Sequence, residues 1–140
     1  MADAYVTISG SLLRDATAAL ARQFDGFSDT NRIVCYDAFL KEVGNGSPHN
    51  ATIDALKVSR SHHKTALKRL KHFRDNLLSH SNRKYISNNK LELEDIQNVV
   101  TLAEQFSEAV WLCFGVGQPN YGEIRRLARS HAKHFWGNFS

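Results

Sequence analysis

An all-α fold, an up-and-down antiparallel bundle of four to five helices, is what this sequence predicts. Three observations carry that prediction. Apolar residues recur at three- and four-residue spacing along most of the 140-residue chain. No stretch of any length alternates with the two-residue period of a strand. Only two prolines and eight glycines interrupt the pattern, so long helices are permitted. A hydrophobic share of 42% and a charged share of 23% are ordinary for a globular protein, and the length suits one domain, residues 1–140, with a real core.

The first helix is expected from about Ser9 to Phe24, on the row Leu13, Ala16, Leu20 and Phe24, with Gly26 and Ser28 ending it. The second is expected from about Asp29 to Val43, with Ile33, Tyr36, Leu40 and Val43 in phase and Ser28 or Asp29 as its cap. Gly44-Asn45-Gly46-Ser47-Pro48 is a loop. The third and longest is expected from about Ala51 to Ser81 as one helix. Its stripe, Ile53, Leu56, Arg60, His63, Leu67, Leu70, Arg74 and Leu77, is a 3–4 repeat broken by three polar residues. Lys57, Lys64, Lys68 and Lys71 lie on the other side, where a solvated face is the default expectation.

Residues 82–89 read as a loop. The fourth helix is expected from about Glu92 to Phe114, with Leu93, Ile96, Val100, Ala103, Val110 and Phe114 in one row. Val99, Phe106 and Cys113 widen that face, which marks a central core helix, and Glu94 and Asp95 suit the positive end of its dipole. The segment from Gly115 to Asn120 ends it. A last helix is expected over about 123–136, with Ile124, Leu127, Ala128, His131 and Phe135 on one side.

The net charge of +4 hides segregation. Residues 57–90 hold ten basic residues and one acid, Asp75, whereas residues 91–124 hold six acids and no basic residue. The basic stretches suit a polyanion, or equally the acidic helix of the same fold. Cys35 and Cys113 lie far apart in helical patterns, which suits buried free thiols rather than a disulfide framework or a zinc site. No basic n-region with an apolar run opens the chain and no stretch approaches 18 apolar residues, so a cytoplasmic protein without a membrane anchor is expected.

The most informative segment is Phe73-Arg74-Asp75-Asn76-Leu77-Leu78-Ser79-His80-Ser81-Asn82. At about 100° per residue, Arg74 and His80 flank Leu77 at roughly 60° on either side. A permanent cation and a titratable imidazole thus border an apolar stripe, where charge is rarely placed without a partner or a task. The pair suits RNA cleavage without a metal. An imidazole near neutral pH can take the proton of an attacking 2′-hydroxyl or deliver one to the 5′-oxygen leaving group. A guanidinium can meet the charge that gathers on the phosphorane-like transition state with two parallel hydrogen bonds.

The segment resembles the HEPN superfamily, whose members carry R-x(4–6)-H on a helix of an all-α bundle; here it is Arg74-x5-His80, with Asp75 as the polar residue that usually follows the arginine. The chain is most similar to the abortive-infection-type, AbiU-like, HEPN proteins. It shares Leu20-Ala21-Arg22-Gln23-Phe24-Asp25 in an early helix, an Arg-Asp-x-x-x-x-His stretch on the third, and an acidic helix start after it. The similarity spans about residues 10–114, and the basic segment at 123–136 has no placed counterpart. It implies a metal-independent endoribonuclease, without cofactor, that acts as a toxin or phage-defence effector. It also implies a homodimer in which both motifs line one cleft, and a nucleotidyltransferase-type antitoxin as partner.

Within the motif the resemblance assigns His80 as general acid/base and Arg74 as the transition-state cation. Asn76 and Ser79 are expected to orient these groups or bind phosphate. Asp75 points opposite Leu77 on an ideal helix and reaches the site only by local unwinding or through a partner chain. A non-catalytic HEPN module that binds an antitoxin or other protein is the alternative, and a helical bundle that binds a small molecule is a third class.

Other residues have plainer readings. His62 and His63 are adjacent and share no face, and His63 is expected to be a partly buried polar residue. His131 and His134 stand three apart, but no acid or cysteine continues a metal-ligand spacing. Arg125, Arg126 and Arg129, interleaved with aromatics, suit phosphate contacts and base stacking, or else cover the acidic fourth helix.

Overall fold

The computed structural model describes residues 2–25, 35–44, 46–78, 90–115, 117 and 120–137, with backbone alone at 2–9, 77, 78, 135 and 136. Among the described residues there are six helices and no strand: α1 (Ala2–Gln23), α2 (Tyr36–Val43), α3 (Asn50–His62), α4 (Lys64–Leu78), α5 (Leu93–Cys113) and α6 (Tyr121–Gly137). The helical bundle is as the sequence predicts. The expected caps Ser28 and Asp29 lie outside the described residues.

The expected single third helix is two, because the chain turns at His63 (φ −93°, ψ 13°). The interruption is slight. The His63 amide still donates to Ser59 and the Leu67 amide to the His63 carbonyl, so hydrogen bonding carries across the break. Gly44 ends α2 with φ 62°, a left-handed conformation open to glycine, and its amide donates to the Leu40 carbonyl. α6 begins earlier than its apolar row suggested, since the Asn120 side-chain oxygen accepts from the Glu123 amide as an N-cap.

α5 is the central element and packs against α1, α2, α3 and α4. Its inward face is turned by about one position from the expected row. Val99, Leu102, Ala103, Phe106 and Ala109 are buried, while Leu93 is 71% and Phe114 59% exposed. Among the described side chains of α1, Thr17, Ala18 and Ala21 are buried, as is Phe24 just past its end, and the expected Leu13 and Ala16 face outward. The physical reason is the same for both helices. α5 has neighbours on several sides, and among the described side chains of α1 burial begins only at Thr17, so one 3–4 row does not define either buried surface.

Phe106 is the hub of the core, with ring centroids 5.6 Å from Phe39, 5.8 Å from Tyr36 and 6.1 Å from Phe24. These tilted and edge-on pairs join α1, α2 and α5 in one aromatic cluster. Two polar links fix the direction of α5. Ser59 donates to Gln105 at 2.6 Å, and Arg69 donates to Asp95 at 3.2 Å and 3.3 Å. The ten steps forward from Ser59 to Arg69 match ten steps back from Gln105 to Asp95. α3 and α4 therefore run together, antiparallel to α5.

α6 lies outside this core. Its side chains from Gly122 to His134 are exposed, including Ile124, Leu127, Ala128 and His131 from the side expected to face inward. Arg125 ties it to α5 through Glu104, a hydrogen-bonded ion pair. Cys35 is buried and Cys113 half-buried, and both are free thiols.

Candidate active site and cationic groove

Arg74 projects from the last turns of α4 and its side chain is only 21% exposed. Its Nη1 donates to Asp25, just past the end of α1, at 2.5 Å, and its Nε donates to Asp75 at 2.9 Å. The Asp25 bond raises the Arg74 pKa above its ordinary value and Asp75 adds to it, against burial, which acts the other way. A guanidinium has five N–H donors, and two carboxylates cannot occupy them all in this geometry. The clamp therefore holds the cation in place and leaves donors for an anion.

Asp75 is thus brought onto Arg74 within one chain, contrary to the expectation that unwinding or a partner would be needed. The Arg74 side chain makes the reach, not the backbone. The pairing with Asp25, 49 positions away, also accounts for an arginine on an apolar stripe without any partner subunit. Arg60, the other cation of that stripe, is explained alike. It lies 3.4 Å from Asp37 and 4.4 Å over the Tyr36 ring. Burial raises the Tyr36 pKa, with Arg60 opposing and Asp37 assisting.

The other expected site residues divide. Asn76 does not turn toward Arg74. Its Nδ2 donates to the His72 carbonyl at 2.8 Å and lies 3.1 Å from the His72 ring nitrogen. Ser79 and His80 lie outside the described residues. Arg125 and Arg126 are bound to the acids Glu104 and Glu123, whereas Arg129 is exposed without an ion pair among the described residues.

A second feature was not anticipated. Lys57, Lys64, Lys68 and Lys71, expected as a solvated face, join Arg60 as one wall of a groove of about 590 Å³. Phe24, Tyr36, Leu40 and Leu67 contribute its apolar part. Lys57 pairs with Asp54, and Lys71 lies 3.5 Å from the same Asp25 that binds Arg74. Lys64 and Lys68 have no ion pair among the described residues. The i, i+4 spacing of Arg60, Lys64 and Lys68 is the sequence signal for this wall. What it lacked was the position of α2 and the end of α1 opposite.

Among the described residues, no group of three or more His, Cys, Asp or Glu side chains is placed to hold a metal ion. No described helix is long and apolar enough to cross a membrane.

Fold and site together define a helical-bundle protein with a carboxylate-clamped arginine at the end of a cationic groove, six residues before a histidine in sequence. The chain matches the AbiU2 model of the HEPN group over residues 2–135 and belongs to that family, an abortive-infection family of HEPN type. The match takes in α6 as far as residue 135, although the resemblance read from sequence places no counterpart for the segment 123–136. Neither the comparison with curated proteins nor that with solved structures gave a match.

Proposed function

We propose that this protein is a metal-independent endoribonuclease that acts as a toxin or phage-defence effector in the cytoplasm. The observation that carries the reading is Arg74, held charged and partly buried by Asp25 and Asp75, in an Arg74-x5-His80 motif of an HEPN-family chain. In this mechanism His80 takes the proton from a ribose 2′-hydroxyl. The 2′-oxygen attacks the neighbouring phosphorus and the bond from phosphorus to the 5′-oxygen breaks. The departing 5′-oxygen receives a proton from His80 or its counterpart in a second subunit. The products are a 2′,3′-cyclic phosphate and a 5′-hydroxyl.

Arg74 neutralises the charge on the non-bridging oxygens. Asp25 and Asp75 orient it, with Asp75 a positioning residue rather than a proton carrier. Acid–base assistance of this kind is typically worth ~10²–10⁴ in rate, and loss of one charge-stabilising donor about 10²–10³. A homodimer with a composite site, and a nucleotidyltransferase-type antitoxin, belong to the same proposal. The support for a dimer is the family, because the Asp25 and Asp75 bonds already account for Arg74. Cleavage of a labelled RNA in excess EDTA, with product-end analysis, tests the proposal. Intact RNA after incubation with folded protein would favour the alternative, a non-catalytic module that binds a protein partner.

A further inference from the structure

We infer that the groove along α3 and α4 is a binding track for single-stranded RNA, with phosphates along Lys64 and Lys68 and bases against its apolar side. The inference rests on the ribonuclease reading for its substrate class and extends it to a surface beyond the Arg74-x5-His80 motif. Three features of the groove select this occupant.

Its charge is only partly compensated: Lys57, Arg60 and Lys71 are paired with Asp54, Asp37 and Asp25, none of which lines the groove. Five cations line it, no carboxylate does, and Lys64 and Lys68 lack an ion pair among the described residues. Like charges one turn apart on a helix repel, so the wall is most favourable with an anion in front of it. The wall is also long. From Lys57 to Lys71 the helix rise gives about 21 Å, more than the phosphate chain of a single nucleotide spans. The apolar side, half-buried Leu40 and the methylene stems of the lysines above buried Phe24, Tyr36 and Leu67, then selects strandedness. A duplex offers such a groove only backbone, whereas a single strand offers base faces to apolar side chains and phosphates to the lysines. At its far end Lys71 shares Asp25 with Arg74, so a strand lying in the track arrives at the clamped arginine.

The test is fluorescence anisotropy of a labelled, unstructured 12-nucleotide RNA in EDTA over a salt series. The full chain carries His80→Ala so that the RNA stays intact, with and without Lys64→Ala/Lys68→Ala. Arg14→Ala/Lys90→Ala, two exposed cations outside the groove, is the comparison, and circular dichroism confirms each fold. If the lysine pair fails to fold, Lys64→Gln and Lys68→Gln are measured singly. The lysine variant should bind at least tenfold more weakly and lose about 1.4 from the slope of log K against log salt, at roughly 0.7 per phosphate contact. The comparison variant should bind nearly as the parent does, and the same sequence as a duplex should bind less well.

Unchanged affinity and slope in a folded lysine variant would overturn the inference. So would preference for the duplex, loss confined to the comparison variant, or no RNA binding at all. Failure of this track and failure of the enzyme are distinguishable. Wild-type cleavage with lysine-independent binding sinks the track alone, and lysine-dependent binding by a wild type that cuts nothing sinks the enzyme alone.

Discussion

Asp95→Ala should cost this protein about a quarter or more of an ordinary domain's stability. Asp95 is buried near the start of α5 and serves two partners. It accepts both Arg69 bonds, and its Oδ2 accepts from the Glu92 amide at 3.0 Å. The buried Nε of Arg69 finds no acceptor among the described residues. Removing one member of a buried ion pair costs about 3–5 kcal/mol. The Arg69 side chain is 33% exposed, so water recovers part of this and about 2 kcal/mol is the better expectation. Loss of the bond to the first turn of α5 adds about 1 kcal/mol. The total, about 3 kcal/mol, lowers the melting temperature by roughly 10 °C in a chain of this length. Asp95→Asn keeps an acceptor for the Glu92 amide and should lose about 2 kcal/mol. Urea denaturation followed by circular dichroism measures both. A loss below about 1 kcal/mol for Asp95→Ala would mean that Arg69 rehydrates freely and that the pair does not pin α4 to α5.

Two further outcomes are expected from the fold. Phe106→Ala removes the ring shared by Phe24, Tyr36 and Phe39 and should destabilise by about 3–5 kcal/mol, read from the same unfolding curves. On α6, the hydrogen bond from Arg126 lowers the Glu123 pKa from the ordinary 4.5. Stabilisation from that bond is present above the unfolded pKa and lost as pH falls through the depressed folded one. An NMR titration of the Glu123 carboxyl should show its midpoint rise in Arg126→Ala, and an unmoved midpoint would deny the pairing.

How far the sequence went can be judged from particular residues. Helix identity and order were legible, because 3–4 apolar spacing and sparse breakers are local signals. Burial was less so. Leu93 and Phe114 continue the apolar row of α5 but lie at its ends and stay exposed, although the Phe114 ring meets Phe39 edge-on, while Leu102 and Ala109 sit between neighbours on other sides. The break at His63 has neither glycine nor proline to announce it. Arg74 was legible as a charge out of place on an apolar stripe. Its partner Asp25 was not, since nothing local links residues so far apart in the chain. The lysine wall was legible as a solvated ladder, and Lys57, Lys64 and Lys68 are exposed as expected, but only the packing of α2 and the end of α1 beside it makes a groove.

The account turns on Arg74 and His80, and the most direct test is cleavage of a labelled structured RNA in excess EDTA by wild type, His80→Ala and Arg74→Ala. Wild type should cut and leave 2′,3′-cyclic phosphate ends, with each variant slower by at least a hundredfold while folded. Equal cleavage by all three, or none by a folded wild type, would contradict the mechanism.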